Sequence, residues 1–148
     1  LPIGFQLERT APGAILGFIG GTKFSLFEYH YPLLEPTIAF GDLALASVPD
    51  IAVMKLAAIG DRGSKRDFID LYVIAAVWKR AMLDEVFVLY DKKFGVLEQN
   101  KLHLLKALAY FEDAELDYTP QLLQEIPWRA VKTYFEEEAR RLSRQLLR

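Results

Sequence analysis

The sequence predicts an α+β fold, a small antiparallel sheet followed by a bundle of about five helices, and three observations carry that prediction. The first thirty or so of its 148 residues alternate apolar and polar side chains between glycine-bearing turns. Beyond Ser47 the spacing and the punctuation are helical. Two of the helical segments are apolar but for one central charge: Ile51–Ile59 (IAVMKLAAI) holds Lys55, and Phe68–Trp78 (FIDLYVIAAVW) holds Asp70.

The strands come first. Ile3–Arg9 alternates until Pro12-Gly13 interrupts it. Ala14–Ile19 and Thr22–Tyr31 are rich in β-branched and aromatic residues and are joined by Gly20-Gly21, a two-residue hairpin signal. Residues 32–46 read as a connector punctuated by Pro32 and Pro36. On this reading residues 1–46 form a β-rich part and residues 47–148 a helical domain, packed together as one unit.

The helix starts are marked. Ser47-Val-Pro-Asp50 offers a capping serine, a proline in the first turn and an acid three residues after the cap. Ser64-Lys-Arg-Asp67 repeats the pattern, and Gly60 and Gly63 read as glycines closing the helix before it. A third helix is expected over Leu83–Phe94, stopped by Gly95, and a fourth over Asn100–Ala114. Pro127 opens a last helix that runs to the C-terminus with Trp128, Val131, Phe135, Leu142 and Leu146 as its buried stripe. Glu136–Arg140 and Glu137–Arg141 are spaced as ion pairs on its outer face.

Composition excludes several classes. With no cysteine there is neither a disulfide nor a thiolate metal site. A net charge of -2 leaves no electrostatic footprint for nucleic acid. No apolar run reaches the roughly 18 residues of a membrane span, and Leu1–Thr10 does not read as a signal peptide, so a cytoplasmic location is expected. His30 and His103 have no partner at metal-ligand spacing, and no metal-binding residue is assigned. The chain opens on Leu1 rather than Met, which reads as a fragment.

Lys55 and Asp70 each need a partner, because an unpaired charge in an apolar helix costs several kcal/mol. Two readings stand for each. Asp67 is a helix-capping acid or a site carboxylate. Asp70 is half of a structural ion pair with Lys55, Arg62 or Arg66, or it lines a cleft. Lys55 is a snorkelling lysine or an anion-binding one.

The run from Lys55 through Arg62-Gly63, Arg66-Asp67 and Phe68-Ile-Asp70-Leu-Tyr72 resembles a signature of the AbiEii/AbiGii toxin family of nucleotidyltransferases. Its pattern is a lysine on one helix, an Arg-Gly turn, then Arg-Asp-Phe-x-Asp-Leu-Tyr opening the next. The resemblance extends over roughly residues 15–80 and includes Phe24–Leu34 (FSLFEYHYPLL). It implies a polymerase-β-like nucleotidyltransferase core, here partial, ahead of a helical domain. It also implies transfer of a nucleotide from an NTP to an acceptor with Mg2+. Lys55, Asp70 and Asp67 would be the catalytic residues. Lys55, Arg62 and Arg66 would bind the nucleotide phosphates. The implied setting is a toxin–antitoxin or phage-defence system, with an antitoxin protein as partner and RNA as an acceptor.

The family's Asp-x-Asp metal pair has no counterpart in this sequence. The chain therefore reads as an incomplete or degenerate copy. The alternative reading is a non-catalytic interaction module, antitoxin-binding or homodimeric through exposed hairpin edges.

Overall fold

The computed structural model describes residues 4–95 and 98–146, and it is α+β. Ile3, expected to begin the first strand, and residues 147–148, expected to end the last helix, lie outside the described residues. The chain divides into two compact units, residues 1–31 and 32–148.

The first unit is a three-stranded antiparallel sheet in the order β1 (Phe5–Ala11), β2 (Ala14–Ile19) and β3 (Thr22–Phe27). Ile19 pairs with Thr22, so Gly20 and Gly21 form the two-residue turn. Their φ values of 56° and 81° are left-handed, the geometry such a turn demands and glycine supplies. Leu7, Phe24, Leu26 and Phe27 remain exposed on the sheet.

In the second unit the stretch expected as a plain connector contains a hairpin, β4 (Ile38–Phe40) with β5 (Leu43–Leu45). Gly41-Asp42 is its turn, a short signal hidden among the prolines. Among the described residues six α-helices follow: α1 (Val48–Arg62), α2 (Lys65–Tyr72), α3 (Leu83–Phe94), α4 (Glu98–Leu108), α5 (Glu112–Leu116) and α6 (Trp128–Leu146).

Both serine caps form. Ser47 Oγ accepts from Asp50 N at 3.1 Å, and Ser64 Oγ accepts from Asp67 N at 3.3 Å while Asp67 returns the bond to Ser64 N. Gly60 does not close α1 but lies inside it. A Cβ there would sit 2.6 Å from Leu104 Cδ2, so glycine allows α1 and α4 to meet closely. Gly95 does cap α3, at φ 64°.

The fourth expected helix is interrupted. α4 stops at Leu108, and the break turns Phe111 onto Phe68, with ring centroids 5.1 Å apart, before α5 begins. Phe68 is the hub of the aromatic core, with Trp128 at 6.0 Å and Phe135 at 5.4 Å. Around it pack Val53 and Leu56 of α1, Leu71 of α2 and Val131 of α6, all fully buried. On α6 the inward stripe is Val131, Phe135, Ala139 and Leu142, whereas Leu146 is exposed. The outer face also differs from expectation. Glu136–Arg140 forms at 3.7 Å, but Arg141 turns from Glu137 to Glu138 (2.6 Å) and to Asp84 at the start of α3.

α2 runs directly into a π-helical turn, Val73–Val77. Trp78 N donates to Val73 O at 2.8 Å, and Arg80 N reaches Ile74 O at 3.0 Å. Lys79 then adopts a left-handed φ of 50°, unusual for a residue with a side chain.

Candidate functional site

α1 and α2 form a helical hairpin closed by Gly63-Ser64, so the start of α1 faces the end of α2. On α1, Val48, Ile51, Lys55 and Arg62 recur three, four and seven residues apart and share a face. On α2, Arg66, Asp70 and Val73 do the same. The two faces meet at Lys55. Its Nζ lies 3.0 Å from Asp67 Oδ1 and 2.7 Å from Asp70 Oδ2.

The three side chains are unequally placed. Lys55 is 24% exposed, Asp67 18% and Asp70 42%. Burial pushes the Lys55 ammonium towards neutrality. The hydrogen bonds it donates to Asp70 and Asp67, with their charges, outweigh burial and hold its pKa above the ordinary lysine value. Asp67 is fully occupied: its second oxygen accepts from Ser64 N at 3.2 Å and from Ser64 Oγ at 2.6 Å. It caps a helix and holds the lysine at once. Asp70 has one oxygen on Lys55, and among the described residues its other oxygen meets no donor. Asp70 is thus the open carboxylate of the pair.

The arginines flank this centre. Arg62 ends α1, exposed and without an ion pair among the described residues. Arg66 is exposed in the first turn of α2, with Nη2 3.4 Å from Tyr118 Oη. Neither arginine bonds Asp70, which is held by Lys55 instead. Between them Lys65 is buried against Trp128, donating to the Asp117 carbonyl at 2.8 Å, and has a packing role.

At the other end of the hairpin the same two faces open into a cleft of about 600 Å³. Val48, Ile51, Val73, Ile74 and Trp78 line it, together with Gln121, Leu122, Leu123, Gln124 and Ile126. Asp70 is part of the wall.

A fully buried charged pair escaped the sequence reading. Asp50 and Lys93 meet at 2.7 Å with neither side chain exposed. Asp50 also accepts from Leu34 N at 3.0 Å, Glu35 N at 3.3 Å and Ser47 Oγ at 2.7 Å, and Lys93 donates to Pro32 O at 2.7 Å. Burial alone would raise the Asp50 pKa. Lys93 and then the donors from Leu34, Ser47 and Glu35 reverse that and hold it below the usual carboxylate value. The pair pins residues 32–35 onto α1 and α3. In the sequence Asp50 is explained by its cap and Lys93 by its place in the last turn of α3, where a lysine complements the helix dipole.

Residues 28–144, which include the whole Lys55–Asp70 segment, match the family model described as nucleotidyl transferase AbiEii toxin, Type IV TA system. An uncharacterized protein of Aquifex aeolicus (strain VF5) is 36% identical over 130 residues, which cover 85% of this chain and 60% of that protein. The chain therefore spans about three-fifths of that relative's length. No solved structure matches it. By the family match over most of its length, the chain belongs to the AbiEii nucleotidyltransferase toxin family.

Proposed function

We propose that this chain contributes the phosphate-handling, helical part of an AbiEii-type nucleotidyltransferase, the toxin of a type IV toxin–antitoxin system. The observation that carries the reading is Lys55 held charged between Asp67 and Asp70 on the next helix, with Arg62 and Arg66 exposed beside it. Nucleotidyl transfer forms a bond from an acceptor hydroxyl to the α-phosphorus of an NTP and expels pyrophosphate. Fixed cations that offset the charge of the phosphate oxygens lower its barrier. A lysine ammonium has three donors. Two of those on Lys55 are committed to carboxylates, which orient it, and the third is available to a phosphate oxygen. Arg62 and Arg66 add planar donors to the same anion. Asp67 is a positioning residue, and the free oxygen of Asp70 is an acceptor for a substrate hydroxyl.

The magnesium ions of this chemistry do not fit the residues described. Among them no three His, Asp or Glu side chains converge, and Asp67 and Asp70 already share an ammonium. The sequence has no Asp-x-Asp. On this reading the metal-binding acids belong to sequence beyond these residues, in keeping with the three-fifths coverage of the relative.

An antitoxin protein, an RNA acceptor and a cytoplasmic location are the remaining parts of the proposal. Among the described residues no helix is long and apolar enough to cross a membrane. The second reading, a non-catalytic module that pairs with an antitoxin or with itself, draws on the exposed apolar strands, including Phe27, Phe40 and Leu43.

Titration of the 15N-labelled chain with magnesium ATP tests the first reading. Amide shifts centred on Lys55, Arg62, Arg66 and Asp70, lost in Lys55→Gln, are the expected result. A spectrum indifferent to nucleotide would leave the interaction module as the function.

A further inference from the structure

We infer that the cleft beside Asp70 is the base- and ribose-binding part of the nucleotide site, with Trp78 as its stacking wall. The inference rests on the phosphate reading of Lys55 and extends it to the rest of the ligand.

The α1–α2 hairpin presents one continuous strip whose character changes along its length. Arg62 and Arg66 lie at one end and Lys55 and Asp70 in the middle. Val48, Ile51, Val73 and Ile74 line the cleft at the other end. Cations passing into an open carboxylate and then into an apolar slot match a ligand that is anionic at one end and planar and apolar at the other. A nucleoside triphosphate has that order: phosphates, sugar, base. One helical turn separates Lys55 from Ile51, about 6 Å along the axis, a distance a ribose spans between its phosphates and its base. The unbonded oxygen of Asp70 falls between the two, where a carboxylate accepts ribose hydroxyls.

The backbone around Trp78 is unusual in a way that this use explains. The π-helical turn Val73–Val77 and the left-handed Lys79 flank the tryptophan on its two sides. Wide turns of this kind and strained non-glycine residues recur at binding sites. Here they hold an indole that is 58% exposed against the cleft rather than in the core. Gln121 and Gln124 add amide donors and acceptors to the same lining, groups suited to the edge of a base.

The test compares each of the four NTPs with inorganic tripolyphosphate, which has the charge but neither sugar nor base. Binding is measured calorimetrically in magnesium buffer on the chain and on Trp78→Ala, Trp78→Phe and Lys55→Gln, with circular dichroism to verify folding. At least one NTP is expected to bind about tenfold tighter than tripolyphosphate, the scale of one base stacked on an aromatic ring. Trp78→Ala should bring the two ligands together while leaving tripolyphosphate binding intact, and Trp78→Phe should keep most of the difference. Lys55→Gln should weaken both. Equal binding of NTP and tripolyphosphate, or a preference that survives Trp78→Ala, overturns the base site and leaves the phosphate reading standing. If neither ligand binds the parent chain, both readings fall together.

Discussion

Asp50 and Lys93, 43 residues apart in sequence, form an ion pair wholly sealed from solvent, 2.7 Å between charged atoms. Removing one partner leaves the other charge buried and uncompensated, so Lys93→Met should destabilise the chain by about 3–5 kcal/mol in urea unfolding. Replacing both, as Asp50→Leu with Lys93→Met, should cost less than the single change. A milder single mutant than double mutant would contradict a sealed pair.

The same carboxylate sets an acid limit. Asp50 is held below its ordinary value of 3.8 in the folded chain. A depressed carboxylate contributes stability above the unfolded value that is lost as pH falls through the folded one. Unfolding free energy should therefore drop below about pH 4. In Asp50→Asn the acid slope should be shallower, starting from a lower plateau, as read from urea midpoints between pH 2 and 6.

Asp67 and Asp70 touch the same lysine and should respond differently. Asp67→Ala removes a capping acid and a lysine partner, and about 1–2 kcal/mol of stability should go with it. Asp70→Asn, at a carboxylate 42% exposed, should cost less than about 1 kcal/mol while weakening nucleotide binding. Unfolding curves and calorimetry on the two variants separate the positioning residue from the ligand-facing one. Equal losses of stability would erase that distinction.

Gly60→Ala pits propensity against packing. Alanine gains roughly 1 kcal/mol in an α-helix, but its Cβ would lie 2.6 Å from the buried Leu104. Overpacking of this kind costs about 1–3 kcal/mol, so the single change should be neutral to destabilising. Relief of that cost when Leu104→Val is added would locate it at the α1–α4 contact. Full additivity of the two changes would move it elsewhere.

Tyr134 marks the alkaline side. Burial, then the Glu138 charge, pushes its phenol up to about 12, and among the described residues its hydroxyl meets no hydrogen-bond partner. A raised folded value means stability present below the unfolded value of 10 and lost as pH rises from there towards 12. Tyr134→Phe should remove that alkaline loss and leave neutral-pH stability unchanged or up to about 1 kcal/mol higher. Ultraviolet titration of the parent should show one tyrosine ionising last.

The sequence disclosed what local chemistry determines. Ser47 and Ser64 cap as their spacing requires, Gly20-Gly21 turns, Gly95 stops α3, and the two lone charges find each other across a short hairpin. What stayed hidden depends on distant partners. Asp50 and Lys93 each have a sufficient local explanation, and only the packing of α1 on α3 makes them a pair. Gly60 reads as a stop until Leu104 is seen against it. Phe111 belongs to no helical stripe, because the Phe68 cluster draws the chain out of register there. Nothing in the spacing announces the π turn Val73–Val77 ahead of the exposed Trp78.

The hairpin that carries Lys55, Arg62, Arg66, Asp67 and Asp70 spans sixteen residues, from the lysine to the last aspartate. Whereas Lys65 and Arg66 also reach Asp117 and Tyr118, the ties of Lys55 to Asp67 and Asp70 and of Asp67 to Ser64 join residues close in sequence. Such contacts close early and at small entropic cost. The spacing of Lys55, Asp67 and Asp70 is thus written into one short stretch of chain and is set when that stretch zips. A change elsewhere in the bundle lowers the fraction of molecules that are folded. The contacts of Lys55 with Asp67 and Asp70 involve no residue outside the hairpin.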